Sequence, residues 1–256
     1  MNNIKYVLRI LKNISIVGIC IMLLICMYKF QYIDDIYSRD SHFRKYVNDN
    51  QQIYFLGTAH EISLDSKPYS YLNLKSVIEN LKPDVLLIES RPEQLNNGNF
   101  ADGPPEMLYC HLVANKLGIP VKGVDWWIPD DKNKPSSTNP VRDNYINENI
   151  LKSVIGYKKV LILMGMEHVT REQPKLQAAG YKKVFFSEIE KIKLLKVHDN
   201  KLTYPKGMNY YIQKRIDYEK SCIGTLYKND TWKNQAEAVI ENLNRIDKAI
   251  EQTGES

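Results

Sequence analysis

Short apolar runs alternate with helical patterns along the middle of the chain. Five runs have the apolar content and flanking turn residues that are typical of strands covered on both faces: 53–56, 84–90, 119–125, 158–165 and 181–187. Four segments between them carry apolar residues at helical spacing: 69–81, 104–118, 140–155 and 171–180. This alternation predicts an α/β fold with a mostly parallel (mixed) sheet flanked by helices.

The pattern changes on both sides of this region, which we take as a domain spanning 51–195. Residues 31–50 are polar and rich in tyrosine, and we expect a connector there. After residue 195 a segment rich in Tyr and Lys leads to an amphipathic helix near 231–250, with its apolar residues on one face. We therefore expect residues 196–256 to form a C-terminal helical extension that packs on the domain.

The first thirty residues predict a transmembrane helix. Sixteen uncharged residues, 13–28, lie between Lys12 and Lys29. As a helix they would span about 24 Å, and the flanking lysines can reach the lipid head groups. A buried core helix and a cleaved signal peptide are the alternatives, but no pair of small residues of the A-x-A kind follows the span. We interpret residues 1–30 as an uncleaved membrane anchor.

The charges around this span predict its orientation. Basic residues precede it, which favours a cytoplasmic N-terminus and a domain outside the cytoplasm. In that location Cys110 and Cys222 either pair or remain as buried thiols. The formal net charge is +5, but residues 1–30 carry +4 of it, so 31 basic and 30 acidic residues remain in the body. A nearly neutral body is not a nucleic-acid-binding surface.

Two copies of one short pattern suggest where the chemistry lies. An apolar strand ends in Gly57-Thr-Ala-His60, and another ends in Gly165-Met-Glu-His168. Each glycine is expected to let the backbone turn sharply as it leaves the sheet. Because the carboxyl ends of parallel strands open on one edge, the two histidines should converge there. Glu89 and Asp125 end two further strands, so the set has the donors of a divalent-metal site.

These blocks resemble the Tiki/TraB (PrgY, GumN) family, within the erythromycin esterase and ChaN-like superfamily. The similarity runs from about residue 54 to 190. It rests on five blocks in the order found in the family: "LGTAHEIS", "PDVLLIESRP", "PEMLYCHLVANKLGIPVKGVD", "VRDNYINENI" and "MGMEHV". The resemblance implies that residues 51–195 are the catalytic domain of a metal-dependent hydrolase.

The resemblance also implies a role for each matching residue. His60, His168, Glu89 and Asp125 would hold a divalent cation (Mn, Co or Zn). Glu89, Glu106, Arg91 and Arg142 would form the catalytic set, in which a carboxylate accepts the proton of water and an arginine stabilises an oxyanion. The expected protein is a membrane-anchored peptidase acting on a peptide or another small substrate outside the cytoplasm.

Two other functions use the same sheet edge. One is a binding protein for haem or a peptide, of the ChaN-like type, in which the histidines are ligands and no turnover occurs. The other is a metal-free, esterase-like hydrolase in which a histidine activates water and Glu89 orients it. Sensitivity to a chelator and a haem titration separate these hypotheses.

Overall fold

The computed structural model describes residues 43–58, 60, 69–129 and 139–253. These ranges contain, in chain order, β1 (Phe43–Val47), β2 (Gln52–Thr58), α1 (Tyr71–Leu81), β3 (Val85–Ile88), α2 (Pro92–Asn96), α3 (Pro105–Lys116), β4 (Val121–Gly123), α4 (Pro140–Ser153), β5 (Lys159–Gly165), α5 (Met166–Ala178), β6 (Lys182–Val184), α6 (Glu188–Leu195), α7 (Met208–Cys222) and α8 (Asp230–Thr253).

The strands form one sheet in the order β4-β3-β5-β2-β1-β6. Neighbours from β4 to β2 are parallel, whereas β1 is antiparallel to both β2 and β6. β6 therefore runs in the same direction as β2. The predicted α/β class, with a mixed sheet flanked by helices, is confirmed.

Apolar clusters cover both faces of the sheet. Val85 and Leu87 of β3 lie in a cluster with residues of α4 and α5. Leu86 and Ile88 face the other way, into a larger cluster with residues of α1, α3, α7 and α8. Burial of one such side chain contributes about 1.5–3 kcal/mol. Burial on both faces explains why β3 is continuously apolar in sequence and does not alternate.

Local sequence sets the starts of the two helices that follow the candidate site strands. Pro105 is the first residue of α3 and places Glu106 in the first turn. Asn139 caps α4, because its side chain accepts hydrogen bonds from the amides of Val141 and Arg142. Both helices thus begin with an ionisable residue near the carboxyl edge of the sheet.

The amino-terminal region differs from the prediction where it is described. The expected connector 31–50 contains β1, whose Phe43 and Tyr46 are buried although Arg44 and Lys45 interrupt the apolar pattern. Pairing with β2 and β6 creates this strand, and such long-range pairing leaves little local signal. The predicted anchor, residues 1–30, lies outside the described residues. In the described part, no helix is both long and apolar enough to span a bilayer.

Three further elements differ from the predicted pattern. The helix expected at 171–180 begins earlier than predicted. α5 starts directly after β5, and Pro174 lies inside it. The strand expected at 181–187 is limited to β6, and a capping box of Ser187 and Glu190 starts α6. Residues 196–253 form α7 and α8, which share the larger cluster with α1 and α3. Cys110 and Cys222 are buried free thiols.

Candidate functional site

The carboxyl ends of three parallel strands meet at one position of the sheet. β5 lies between β2 and β3, with Thr58 paired to Gly165 and Ile88 paired to Leu163. The helix that follows β2 packs on one face of the sheet, and the helix that follows β5 packs on the other face. Ligands of α/β proteins commonly bind at strand ends where the connections change face. His60, Glu89 and His168 all follow these strand ends.

Glu89 is the centre of the site. One carboxylate oxygen, Oε2, lies 3.4 Å from Nε2 of His60, and the other, Oε1, lies 3.4 Å from Nε2 of His168. The Gly165 amide donates to Oε2 at 2.6 Å, and Arg142 Nη2 donates to Oε1 at 2.9 Å. Glu89 is only 3% exposed, so four groups converge on one buried carboxylate.

A second carboxylate faces the other ring nitrogen of each histidine. Nδ1 of His60 lies 3.1 Å from Oε1 of Glu106, which also accepts a hydrogen bond from Oγ1 of Thr58 at 2.9 Å. Nδ1 of His168 lies 3.5 Å from Oδ1 of Asp143. Among the described residues, this nitrogen and this oxygen have no hydrogen-bond partner of standard geometry. With a carboxylate beside each Nδ1, the Nε2 atom of each histidine faces Glu89.

Arg142 connects Glu89 to the end of β4. Its Nε donates to Oδ1 of Asp125 at 2.8 Å, and its Nη2 donates to Oδ2 at 2.9 Å. The Trp126 amide also donates to Asp125, at 2.7 Å. Two carboxylates therefore share this buried guanidinium, a geometry that fixes the position of Glu89 more than it offers a cation to a substrate.

The charges of the site shift its pKa values in opposite directions. Burial alone would raise the pKa of Glu89, but His60, His168 and Arg142 hold it well below its usual range. Burial alone would lower the pKa of each histidine. Glu89 with Glu106 raises the pKa of His60 to about 9, and Glu89 with Asp143 raises that of His168 to about 9. Glu89 is therefore ionised at neutral pH.

Exposure distinguishes the two histidines. The side chain of His60 is 41% exposed, whereas that of His168 is 3% exposed. A molecule approaching this edge of the sheet would meet His60 first. His168, in the first turn of α5, belongs to the buried side of the site.

The structure brings together most of the residues predicted from sequence. His60, His168, Glu89, Glu106 and Arg142 lie in one connected cluster. Asp125 belongs to it through Arg142, which occupies both of its oxygens.

Arg91 lies elsewhere, although it is only two residues from Glu89. Its guanidinium pairs with Asp102 at 2.7 Å and stacks over Trp127, 3.9 Å from the ring centre. Asp102 in turn lies 3.3 Å from Arg215 of α7. The backbone turns at Arg91 to start α2, so its side chain leaves the site.

Sequence reasoning missed two residues of the cluster. Thr58 donates to Glu106 at 2.9 Å, and Oδ1 of Asp143 lies 3.5 Å from Nδ1 of His168; both residues are buried. Asp143 follows Arg142 directly in the first turn of α4, and that acid–base pair was the available signal. Glu172 lies one turn after His168, and burial raises its pKa to about 7.

The donor set fits a divalent cation in kind. Two imidazoles and a carboxylate suit a cation of borderline hardness, and a carboxylate behind each imidazole is the usual support for such ligands. In the structure, however, the imidazoles and carboxylates contact one another directly, at the distances of hydrogen bonds and ion pairs. Within the described residues, no group of three or more His, Cys, Asp or Glu has the mutual spacing of a metal site.

Comparisons with known proteins add no relative. No protein-family model matches the chain, and no curated protein or solved structure is significantly similar to it. The resemblance to the Tiki/TraB family therefore rests on the sequence blocks and stays a prediction.

Proposed function

We propose that the protein is a membrane-anchored, divalent-metal-dependent hydrolase of the Tiki/TraB type, acting on a peptide or another small substrate outside the cytoplasm. One observation carries the proposal. The Nε2 atoms of His60 and His168, from distant parts of the chain, each lie 3.4 Å from a different oxygen of Glu89. A buried carboxylate between two carboxylate-supported imidazoles has the composition of a hydrolytic metal centre.

In this proposal His60, His168 and Glu89 hold the cation. When bound, it would polarise a scissile carbonyl and lower the pKa of a water molecule. Asp125, first predicted as a ligand, is assigned to Arg142, because both of its oxygens accept hydrogen bonds from that guanidinium.

The residues of the chain then divide by position. His60 is the exposed group that meets the substrate, and Glu106 with Thr58 fixes its ring. Arg142 and the Gly165 amide orient Glu89. Asp143 orients His168. Glu106 and Arg142 are therefore positioning residues here, and we assign no role in the reaction to Arg91.

A metal-free hydrolase is the second candidate, and one observation favours it. Both oxygens of Glu89 already accept hydrogen bonds, from Arg142 and from Gly165. In that case Glu106 orients His60, and the neutral form of His60, whose population grows as pH approaches its raised pKa of about 9, accepts the proton of the attacking water. The same residues serve both candidates, so the role of the metal must be measured directly.

Metal analysis of the full chain tests the proposal. We expect stoichiometric Mn, Co or Zn in the wild type, and none in His60→Ala or His168→Ala. His198→Ala is the matched control, because His198 is exposed and distant in sequence from the site blocks. It should retain the wild-type metal content.

Activity separates the two candidates. The purified chain is incubated with a mixed peptide library, and cleavage is followed by mass spectrometry. Loss of cleavage with EDTA and its recovery with Mn²⁺ or Co²⁺ supports the metal-dependent enzyme. Cleavage that is insensitive to EDTA but abolished by His60→Ala supports the metal-free one. If the library stays intact under all conditions, the peptidase assignment fails.

A further inference from the structure

An exposed apolar surface follows β6, the last strand of the sheet, on the carboxyl edge that also carries the candidate site. Phe185 is 90% exposed, Ile189 67% and Ile192 63%. Among the described residues, Phe185 is the most exposed large apolar side chain. Three such side chains within eight residues are unusual for a surface without a partner. We call these three residues the 185–192 patch.

The patch is not a result of loose packing. α6, which carries Ile189 and Ile192, is held on α1 by three polar side chains. Asn73 donates to the Leu195 carbonyl at 2.9 Å, Asn80 donates to the Leu194 carbonyl at 3.2 Å, and Ser76 donates to the Lys196 carbonyl. The helix is therefore fixed with its two isoleucines turned outward, and their exposure needs an explanation other than folding.

Lysines surround the patch. Residues 181–196 contain five lysines and two glutamates. Lys182, Lys183, Lys193 and Lys196 are exposed. The two acids are engaged locally, because Glu188 pairs with Lys191 at 2.8 Å and Glu190 accepts hydrogen bonds from Ser187. Exposed aromatic and aliphatic side chains with a basic border are typical of a surface that enters an anionic lipid interface.

The anchor of the proposed function would tether the body through a short segment. Phe43, where the described body begins, packs against Phe186 with ring centres 4.9 Å apart. Only the twelve residues 31–42 separate Phe43 from the end of the predicted anchor at residue 30. Fully extended, they span about 40 Å. A body tethered this closely meets the bilayer surface at a high effective concentration, so a weak patch suffices for contact.

We propose that the 185–192 patch docks on the bilayer surface, with its apolar side chains among the acyl chains and its lysines on anionic head groups. The proposal rests on the membrane anchor of the proposed function, and it is independent of the chemistry of the site. β6 runs parallel to β2, so the patch follows the same carboxyl edge as His60. Docking therefore turns the candidate site towards the membrane surface, where a substrate would arrive.

Fluorescence quenching by lipid tests the contact. The full chain is reconstituted into phosphatidylcholine vesicles containing phosphatidylglycerol and brominated acyl chains. Phe185→Trp adds a reporter at an exposed position, and subtraction of the wild-type signal removes the natural tryptophans. Ile155→Trp is the matched control, since Ile155 is 74% exposed and precedes β5 at the opposite edge of the sheet.

We expect the added signal at position 185 to fall at least twofold with brominated lipid, and the signal at position 155 to stay unchanged. Lys182→Glu, Lys183→Glu and Lys193→Glu together should weaken the quenching. Equal quenching by brominated lipid at positions 185 and 155 would overturn the proposal. So would an unquenched, blue-shifted emission that grows with protein concentration, because a second copy of the chain would then cover the patch. Flotation of the wild-type chain with the vesicles after alkaline carbonate extraction, which removes surface-bound protein but not a transmembrane helix, separately reports whether the anchor exists.

Discussion

Gly165→Ala tests whether His60 and Glu89 share one site. An alanine Cβ at this position would lie 2.8 Å from Cε1 of His60 and closer still to its Nε2. Nonbonded atoms need about 3.5 Å, so the ring must retreat by roughly 1 Å. The contact between His60 and Glu89, 3.4 Å in the native protein, would then exceed about 4 Å.

The cost of this change in stability should be small. The backbone of Gly165 has φ −54° and ψ 142°, which alanine adopts without strain. The His60 side chain is 41% exposed, so loss of its partially solvated ion pair costs at most about 1 kcal/mol. Reduced freedom of the unfolded chain offsets this by about 0.4–1 kcal/mol. We therefore expect the free energy of unfolding to change by less than about 1 kcal/mol.

Gly123→Ala provides the contrast. Its Cβ would lie 2.9 Å from Leu95 Cδ1 and closer still to the backbone oxygen of Ser90, which cannot swing away. This variant should lose about 1–3 kcal/mol.

Urea denaturation and a Co²⁺ titration give the two measurements. Gly165→Ala should unfold like the wild type and bind Co²⁺ at least about tenfold more weakly. If it loses as much stability as Gly123→Ala, the His60 ring is not free to move. If it binds Co²⁺ like the wild type, His60 does not belong to a metal site.

Three further predictions address the buried charges. Glu89→Gln should lose about 3–5 kcal/mol in urea denaturation, because it removes the one carboxylate that buried Arg142 and His168 share. Glu167→Gln, at an exposed position, should stay within about 0.5 kcal/mol of the wild type. The raised pKa of His168, about 9, stabilises the fold below pH 6.5, and this effect is lost as pH rises to 9. The pKa of His60 is also raised to about 9 and adds to the loss in both proteins compared, so in EDTA the wild type should lose about 3 kcal/mol more than His168→Gln over this range. Equal losses in the two proteins would contradict the assignment. Arg215→Ala should lower the free energy of unfolding by about 3–5 kcal/mol, because it removes the cation that pairs with buried Glu219 and Asp102. Arg245→Ala, at an exposed position, is the control, and equal losses in the two variants would refute the role of the buried ion pairs.

The parts of the fold that depend on local pattern were predictable. β3 and β5 are short runs of residues that are apolar on both faces, which is the pattern expected of strands covered by helices on both sides. Because parallel strands share a carboxyl edge, the residues after them were expected to meet, and His60, Glu89 and His168 do. This inference needs only strand direction, which the alternation with helices supplies.

The parts that depend on long-range pairing were not predictable. β1 exists because β2 and β6 flank it, and Arg91 leaves the site for Asp102, eleven residues away. The expected reason for Gly165 was also wrong. Its φ is ordinary, and the position is small because the His60 ring occupies the space that a side chain would fill.

The charge balance of the site leads to a prediction about metal binding. Four acids contact two arginines and two histidines: Glu89, Glu106, Asp125 and Asp143 with Arg142, Arg171, His60 and His168. With neutral imidazoles the formal charge of this cluster is −4 + 2 = −2, and with both imidazoles protonated it is 0. Two protons or one divalent cation therefore produce the same net charge.

Cation and protons should consequently compete. The pKa of each histidine is raised to about 9, so both rings carry a proton at pH 7.5, yet a metal ligand must be neutral. Binding of Mn²⁺ should then release about two protons, and the affinity should rise about 100-fold from pH 7 to pH 8. Calorimetry in two buffers of different ionisation enthalpy measures this number. Release of fewer than about half a proton per Mn²⁺ would mean that the cation does not replace the protons held between Glu89 and the two imidazoles.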